Sequence, residues 1–203
     1  MRDKSVARAS EAGGRERLLA AAVRIFAAKG YAATTVREIL QAAAVTAPVL
    51  YYHFGNKEGL FLALVEQGFR NLEVDLDEAS RKGATAAAKI RGFCRTLAAI
   101  RREHAGLARI VETTLLGPPQ AGPKLDMKGP FSYIVRRLED LVRAGTAAGE
   151  FRKCNPTHAA LALLGTVEMV ARPHLFGLTE LKLDDQLDGI IAVVLRGLAA
   201  PAA

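Results

Sequence analysis

Apolar residues recur along this chain at intervals of three and four, the period of a helix with one face turned inward. Leu18, Leu19, Ala22, Val23 and Phe26 mark a helix over Arg15 to Lys29, with Gly30 placed to end it in a left-handed cap and Tyr31 folding back toward that core. Thr35 and Glu38 have the spacing of a capping box, so a short helix starts at about Val36 and turns Val36, Ile39, Leu40 and Ala43 inward. Ala44-Val45 is the elbow. A second short helix restarts after Thr46, a residue suited to capping. Asn56 can cap a longer helix from Lys57 into the high seventies, with Leu60, Phe61, Leu64, Val65 and Phe69 as its stripe. The same period predicts helices over Ala84 to Arg102, Leu107 to Leu116, Phe131 to Ala148, Thr157 to Phe176 and Asp184 to Leu198. The run Gly117-Pro118-Pro119-Gln120-Ala121-Gly122-Pro123 breaks the pattern most strongly, because proline removes donors and fixes φ. No alternating stretch is bounded by hairpin dipeptides and no repeat appears, so the fold class is all-α.

Composition sharpens this picture at three points. Half of the 203 residues are hydrophobic, enough for one or two small domains with real cores. Cys94 and Cys154 are the two cysteines and lie in different helical patterns, which suits small buried hydrophobes in a reducing compartment. With no apolar leader and no stretch near the roughly 20 residues that span a bilayer, the expected location is cytoplasmic, with no membrane partner. The net charge of +7 is unevenly spread: residues 1–57 hold 9 Lys and Arg against 4 Asp and Glu, the remainder 19 against 17. A polyanionic partner is therefore expected for the first segment, ahead of which residues 1–13 read as a flexible basic arm.

Phe26, Gly30, Tyr31, Thr35, Val36, Ile39, Ala43, Val45, Thr46, Leu50, Tyr51, His53, Phe54, Lys57, Glu58 and Leu60, in this order and spacing, resemble the TetR family of transcriptional regulators. The resemblance implies a three-helix DNA-binding head over residues 14–74, with its helix-turn-helix at about 37–56. A long helix would join it to an effector-binding and dimerisation body over 75–203. It further implies that Thr35 and Lys57, at helix N-termini where free amides favour anions, touch the DNA backbone, and that Tyr51 and His53 hydrogen-bond phosphate. Base reading then falls to Thr46, Ala47, Pro48 and Tyr52. That edge holds no Arg, Asn or Gln, so apolar contact of Ala47 and Pro48 with thymine methyls, helped by DNA shape, is expected. Three residues depart from the family pattern: Ala44 for the usual elbow glycine, Leu40 for a small alanine, and Pro48 within the first turn of the second short helix. A left-handed Ala44 would cost on the order of 1 kcal/mol.

The last two helices, with Leu161, Leu163, Leu164, Val167, Met169 and Val170 and then Leu187, Ile190, Ile191, Val193, Val194 and Leu195, are more apolar than surface helices need. A homodimer interface and a monomeric core both explain that; the resemblance implies a four-helix bundle built from two subunits. Phe93, Leu97, Ile110, Thr114, Met127, Phe131, Val135, Phe151 and Met169 are candidates to line a cavity for a small apolar effector, or are ordinary core. Glu168 and Arg172 make either an i,i+4 ion pair or a ligand-reading pair. His104, His158 and His174 share no metal-ligand spacing, and no nucleophile pair, carboxylate pair or phosphate loop is recognisable, so neither a metal, a cofactor nor an enzyme activity is expected. The expected function is a ligand-released repressor on a near-palindromic operator of double-stranded DNA. The alternative is a helical ligand-binding or adaptor protein with a vestigial head.

Overall fold

The computed structural model describes residues 3–118 and 122–200, with side chains from residue 13 onward. The helices, in chain order, are α1 (Asp3–Lys29), α2 (Val36–Ala43), α3 (Ala47–Phe54), α4 (Lys57–Arg81), α5 (Ala86–Glu103), α6 (Ala105–Leu116), α7 (Lys128–Ala147), α8 (Pro156–Leu175) and α9 (Leu183–Leu198). Local chemistry sets most of these ends. Gly30 adopts φ 82° after α1, Asn56 Oδ1 accepts from the Gly59 amide at 2.7 Å, and Asn155 Oδ1 accepts from the Thr157 amide at 2.9 Å. The central Pro119, Gln120 and Ala121 of the expected loop lie outside the described residues, as do Met1 and Arg2 of the expected arm. From Asp3 onward the backbone of that arm is helical and continues α1 backward past the apolar stripe that placed the start at Arg15.

The chain divides into two compact units. The first comprises Met1–Phe69 together with Gly106–Leu125; the head expected from the sequence spans 14–74. Its core gathers Leu18, Ala22 and Phe26 of α1, Ile39 and Ala43 of α2, Leu50 of α3, Leu60 and Phe61 of α4, and Ile110 of α6. Phe26, Tyr31 and Phe61 pack against one another with centroids 5.0 to 5.5 Å apart, Phe61 edge-on to the other two. α6 returns to this core with the end of the Leu107 side chain over Gly68, where a Cβ would lie 2.3 Å from it.

The second unit comprises Arg70–Ala105 and Asp126–Ala203. Leu76, Ile90, Phe93, Leu97, Leu138, Leu163, Val167, Leu187 and Ile191 form its core. Salt bridges tie its helices at the rim: Arg95 grips Asp188 with both Nε and Nη2, Arg102 meets Asp184 at 3.2 Å, and Arg137 meets Asp77 at 2.6 Å. Cys94 is sealed in this core, and burial pushes its thiol up to about 12, so it acts as a small hydrophobe and not as a nucleophile.

Candidate nucleic-acid interface

The turn into α2 is held by a reciprocal set of bonds. The Thr35 hydroxyl accepts from the Glu38 amide at 3.3 Å and donates to the Glu38 carboxylate at 2.7 Å, while the Thr35 amide donates to the same oxygen at 2.8 Å. Lys29 donates to the other Glu38 oxygen. The Lys29 bond first, and then the two from Thr35, hold the Glu38 carboxyl down from its ordinary 4.5 to about 2. Thr35 is thus a positioning residue for the α2 N-terminus: its hydroxyl proton already has an acceptor within the protein.

Lys57 turns inward in the same way. Its ammonium donates to the carbonyls of Tyr31 at 3.0 Å and Thr34 at 2.8 Å, and sits 4.1 Å from the Tyr31 ring centroid. Burial pushes its pKa below the ordinary lysine value. Two of its three N–H groups therefore fasten the loop ahead of α2 to the start of α4, and one remains.

The elbow and α3 carry the exposed part. Ala44 adopts φ 51° and ψ 48°, the left-handed geometry that its place in the turn requires, and its amide meets the Gln41 carbonyl at 3.3 Å. Thr46 occupies the N-cap position of α3 but makes no side-chain cap, contrary to its expected role. Pro48 explains this: it fills the second helical position and has no N–H to offer, while the Val49 amide bonds the Thr46 backbone carbonyl. Thr46 is left exposed. Leu50 is fully buried and Phe54 packs on the head core, as the pattern anticipated. Tyr51 is 53% exposed and Tyr52 76% exposed, with the Tyr52 and His53 rings edge to face at 5.0 Å. Thr46 and Pro48 are exposed and Ala47 half-buried beside them.

Two side chains absent from the expected site adjoin this edge. Arg37 and Gln41 stand one turn apart on the polar face of α2 and, with Leu40, Ala44, Val45 and Thr46, line an open groove of about 490 Å³. Their spacing of four, on the side away from Ile39 and Ala43, was a readable signal. The residues expected around an effector fall in both units. Ile110 and Thr114 belong to the first unit. In the second, Phe93 and Leu97 are closed into the core, and Phe151 lies so near Gly145 that a Cβ there would meet its ring at 2.3 Å. Met127 is half-buried, whereas Phe131 and Met169 are exposed. Glu168 accepts from Arg101 at 2.9 Å, a partner that spacing could not reveal, and meets Arg172 at 3.7 Å.

The stripe on α8 and α9 separates into two sets. Leu163, Leu164, Val167, Val170, Leu187, Ile191 and Leu195 are core of the second unit itself, whereas Leu161, Met169, Ile190 and Val193 are exposed. Met169 and Ile190 line a groove of about 550 Å³ with Gly165, Thr166 and Leu178 among others. Among the described residues no group of three or more His, Cys, Asp or Glu could hold a metal ion, and no helix is long and apolar enough to cross a membrane.

Comparison with known proteins places both units. Residues 18–64 match the model for bacterial regulatory proteins of the tetR family, and residues 83–172 match that for the tetracyclin repressor-like C-terminal domain. The HTH-type transcriptional activator FasR of Mycolicibacterium smegmatis is 40% identical over 33% of this chain, a match that spans only 31% of FasR. The HTH-type transcriptional repressor ComR of Escherichia coli is 27% identical over 72% of this chain and 72% of its own length. In fold, the chain is similar to the transcriptional regulator FadR from Bacillus subtilis, solved with stearoyl-CoA, at a TM-score of 0.75 and 19% identity over 90% of this chain and 98% of that one. Matched in head and in body, with the helix-turn-helix geometry described, the chain belongs to the TetR family of bacterial transcriptional regulators.

Proposed function

We propose that this chain is a dimeric, sequence-specific DNA-binding repressor that leaves a near-palindromic operator when its body binds a small apolar effector. The observation that carries the reading is the α3 edge: Thr46, Tyr51 and Tyr52 are exposed on a helix whose other side is anchored by the fully buried Leu50, with His53 half-buried beside them. Tyr51 and His53 are assigned to phosphate, with Lys57 giving its remaining N–H and the amides at the start of α2 aimed by Thr35. Thr46, Ala47, Pro48 and Tyr52 face the bases. The excess of basic residues in 1–57 adds a sequence-independent attraction that salt weakens.

One head reads one half-site, so a symmetric pair is required for tight and selective binding. The exposed Leu161, Met169, Ile190 and Val193 support α8 and α9 as the dimer face, since an apolar surface of that kind gains by covering itself. The effector is assigned to the second unit, which holds the Arg101–Glu168 pair and a core that includes Phe93 and Leu97. Its binding shifts the operator equilibrium only through unequal affinity for the two states. Selection of bound duplexes from random DNA tests the reading: an inverted repeat, bound less tightly as salt rises, is expected. Release by long-chain acyl compounds is the first effector trial. Absence of any enriched repeat would leave a helical adaptor with an inactive head.

A further inference from the structure

The turn out of α8 is closed by an imidazole. Gly177 adopts φ 66° and the Leu178 amide donates back to the Pro173 carbonyl at 2.8 Å, so the chain reverses into the loop that leads to α9. The half-buried His174 spans this reversal. Its Nδ1 is 2.9 Å from the Val170 carbonyl oxygen, one turn back on α8, and its Nε2 is in hydrogen-bond contact with the Leu181 carbonyl oxygen, seven residues on. Both partners are carbonyls, which only accept. A neutral imidazole has one N–H and serves one of them, turning a lone pair on the other, whereas imidazolium serves both. The last turn of a helix, where unsatisfied carbonyls gather, is also a place that suits a cation.

The loop held in this way belongs to the apolar face of the body. Leu178 and Thr179 line the groove of about 550 Å³ together with Met169, Val170 and Ile190, and Leu178 is 77% exposed. The charged groups on the elements around His174 are Glu168 and Arg172 of α8, Arg101, Arg102 and Glu103 at the end of α5, Asp126 and Lys128 at the start of α7, Glu180 and Lys182 of the loop, and Asp184 and Asp185 at the start of α9. Of these, Glu168 is engaged by Arg101 and Arg172, and Asp184 by Arg102. His104 at the end of α5 and His158 at the start of α8 are the other imidazoles of this unit.

We propose that His174 is a pH-operated latch: doubly protonated, it pins the loop between α8 and α9 and with it the Leu178 wall of the groove, and on losing one proton it releases that loop and weakens the binding of a second copy of the chain to this face. The dimer part rests on the interface assigned above; the latch itself does not. The sign follows from valence: the latch is closed at low pH and opens as the pH rises through the range in which imidazole gives up a proton, centred near about 6.5 for a free ring. A released loop has to be ordered again when the second copy binds, and that costs affinity.

The test uses the full-length wild type and His174→Gln, whose amide donates to one carbonyl at any pH. Side-chain nitrogen NMR spectra of the wild type should show both ring nitrogens of His174 protonated at pH 5.5 and one at pH 8. Hydrogen-exchange protection of the amides of 177–182, corrected for the intrinsic effect of pH, should fall roughly tenfold between those values in the wild type and stay level in His174→Gln. The dimer dissociation constant, read by sedimentation, should rise roughly tenfold over the same interval in the wild type alone. Loop protection that does not change with pH in the wild type, or changes equally in the variant, overturns the latch. A latch seen by exchange beside a dimer indifferent to pH overturns its link to the interface. A wild type that is monomeric at every pH overturns instead the dimer reading, while exchange still decides the latch.

Discussion

The head and the body of this protein use their polar side chains in opposite ways. In the first unit Thr34, Thr35, Glu38, Asn56 and Lys57 bond to backbone groups or to each other around the ends of α1, α2 and α4, fixing turns. In the second, arginines tie one helix to the next through Asp77, Glu168, Asp184 and Asp188, and one side of α8 and α9 is left apolar. The head thus exposes hydroxyl, phenol and guanidinium groups, suited to a polyanion, and the body exposes methyl and thioether groups, suited to a second apolar surface. The two surfaces differ in what they need: a backbone held to within a fraction of an ångström for hydrogen bonds, and only a shape and an area for apolar contact.

The largest effect should come from placing a charge on the body's apolar face. In the proposed dimer, Val193→Asp brings a carboxylate from each subunit onto the apolar face, and should turn the dimer into monomer and lower operator affinity by at least a hundredfold, on the order of the 3 kcal/mol or more expected for an unpaired buried charge. Light scattering checks the first result and binding titration the second; a dimer that persists would place the interface elsewhere. Next in size is Lys57→Met, which leaves the Tyr31 and Thr34 carbonyls without their donor and should destabilise the head by about 1–3 kcal/mol. Because Lys57 has one N–H to give, the logarithmic salt slope of binding should shrink by no more than about one. Denaturation alongside salt titration separates the two effects.

Acid should act on the head in a defined window. Glu38 has a lowered carboxyl, so its stabilising contribution is present above pH 4.5 and is lost as the pH falls from there toward about 2. Urea unfolding of wild type and Glu38→Gln should differ at pH 6 and converge near pH 2; equal curves at pH 6 would mean that the carboxylate charge adds nothing, since glutamine keeps the capping-box hydrogen bond. The smallest change is Ala44→Gly. Relief of the left-handed alanine gains about 1 kcal/mol or a little more, and the extra freedom of glycine when unfolded takes back about 0.5–1. A net gain of a few tenths of a kcal/mol is expected in head stability, with unchanged operator choice.

Much of the architecture was legible because helix ends are local. Thr35 and Glu38, Gly30, and Asn56 with Gly59 each complete a cap within a few residues, so their spacing already contains the geometry. Thr46 is the exception, and its cause was visible too, since Pro48 removes the amide that a cap would use. What was illegible lies far apart in the chain. Lys57 and its acceptors are 23 and 26 residues apart, and Arg101 and Glu168 are 67 apart. The periodicity of α8 marks Leu163 and Met169 alike as apolar, although one is core and the other surface.

By itself, then, the sequence determined the helices, their caps, the left-handed elbow at Ala44 and the family, because each rests on the order of neighbouring residues. Only the tertiary structure decided how residues of equal kind were used. It closed Phe93 and Leu97 into the core and drew Gly106–Leu125 into the head unit. It turned the Lys57 ammonium toward two carbonyls and left the groups of Arg37 and Gln41 facing a groove. The physical reason is that hydrogen bonds and burial depend on distances across the fold, which a pattern of residues along the chain does not contain.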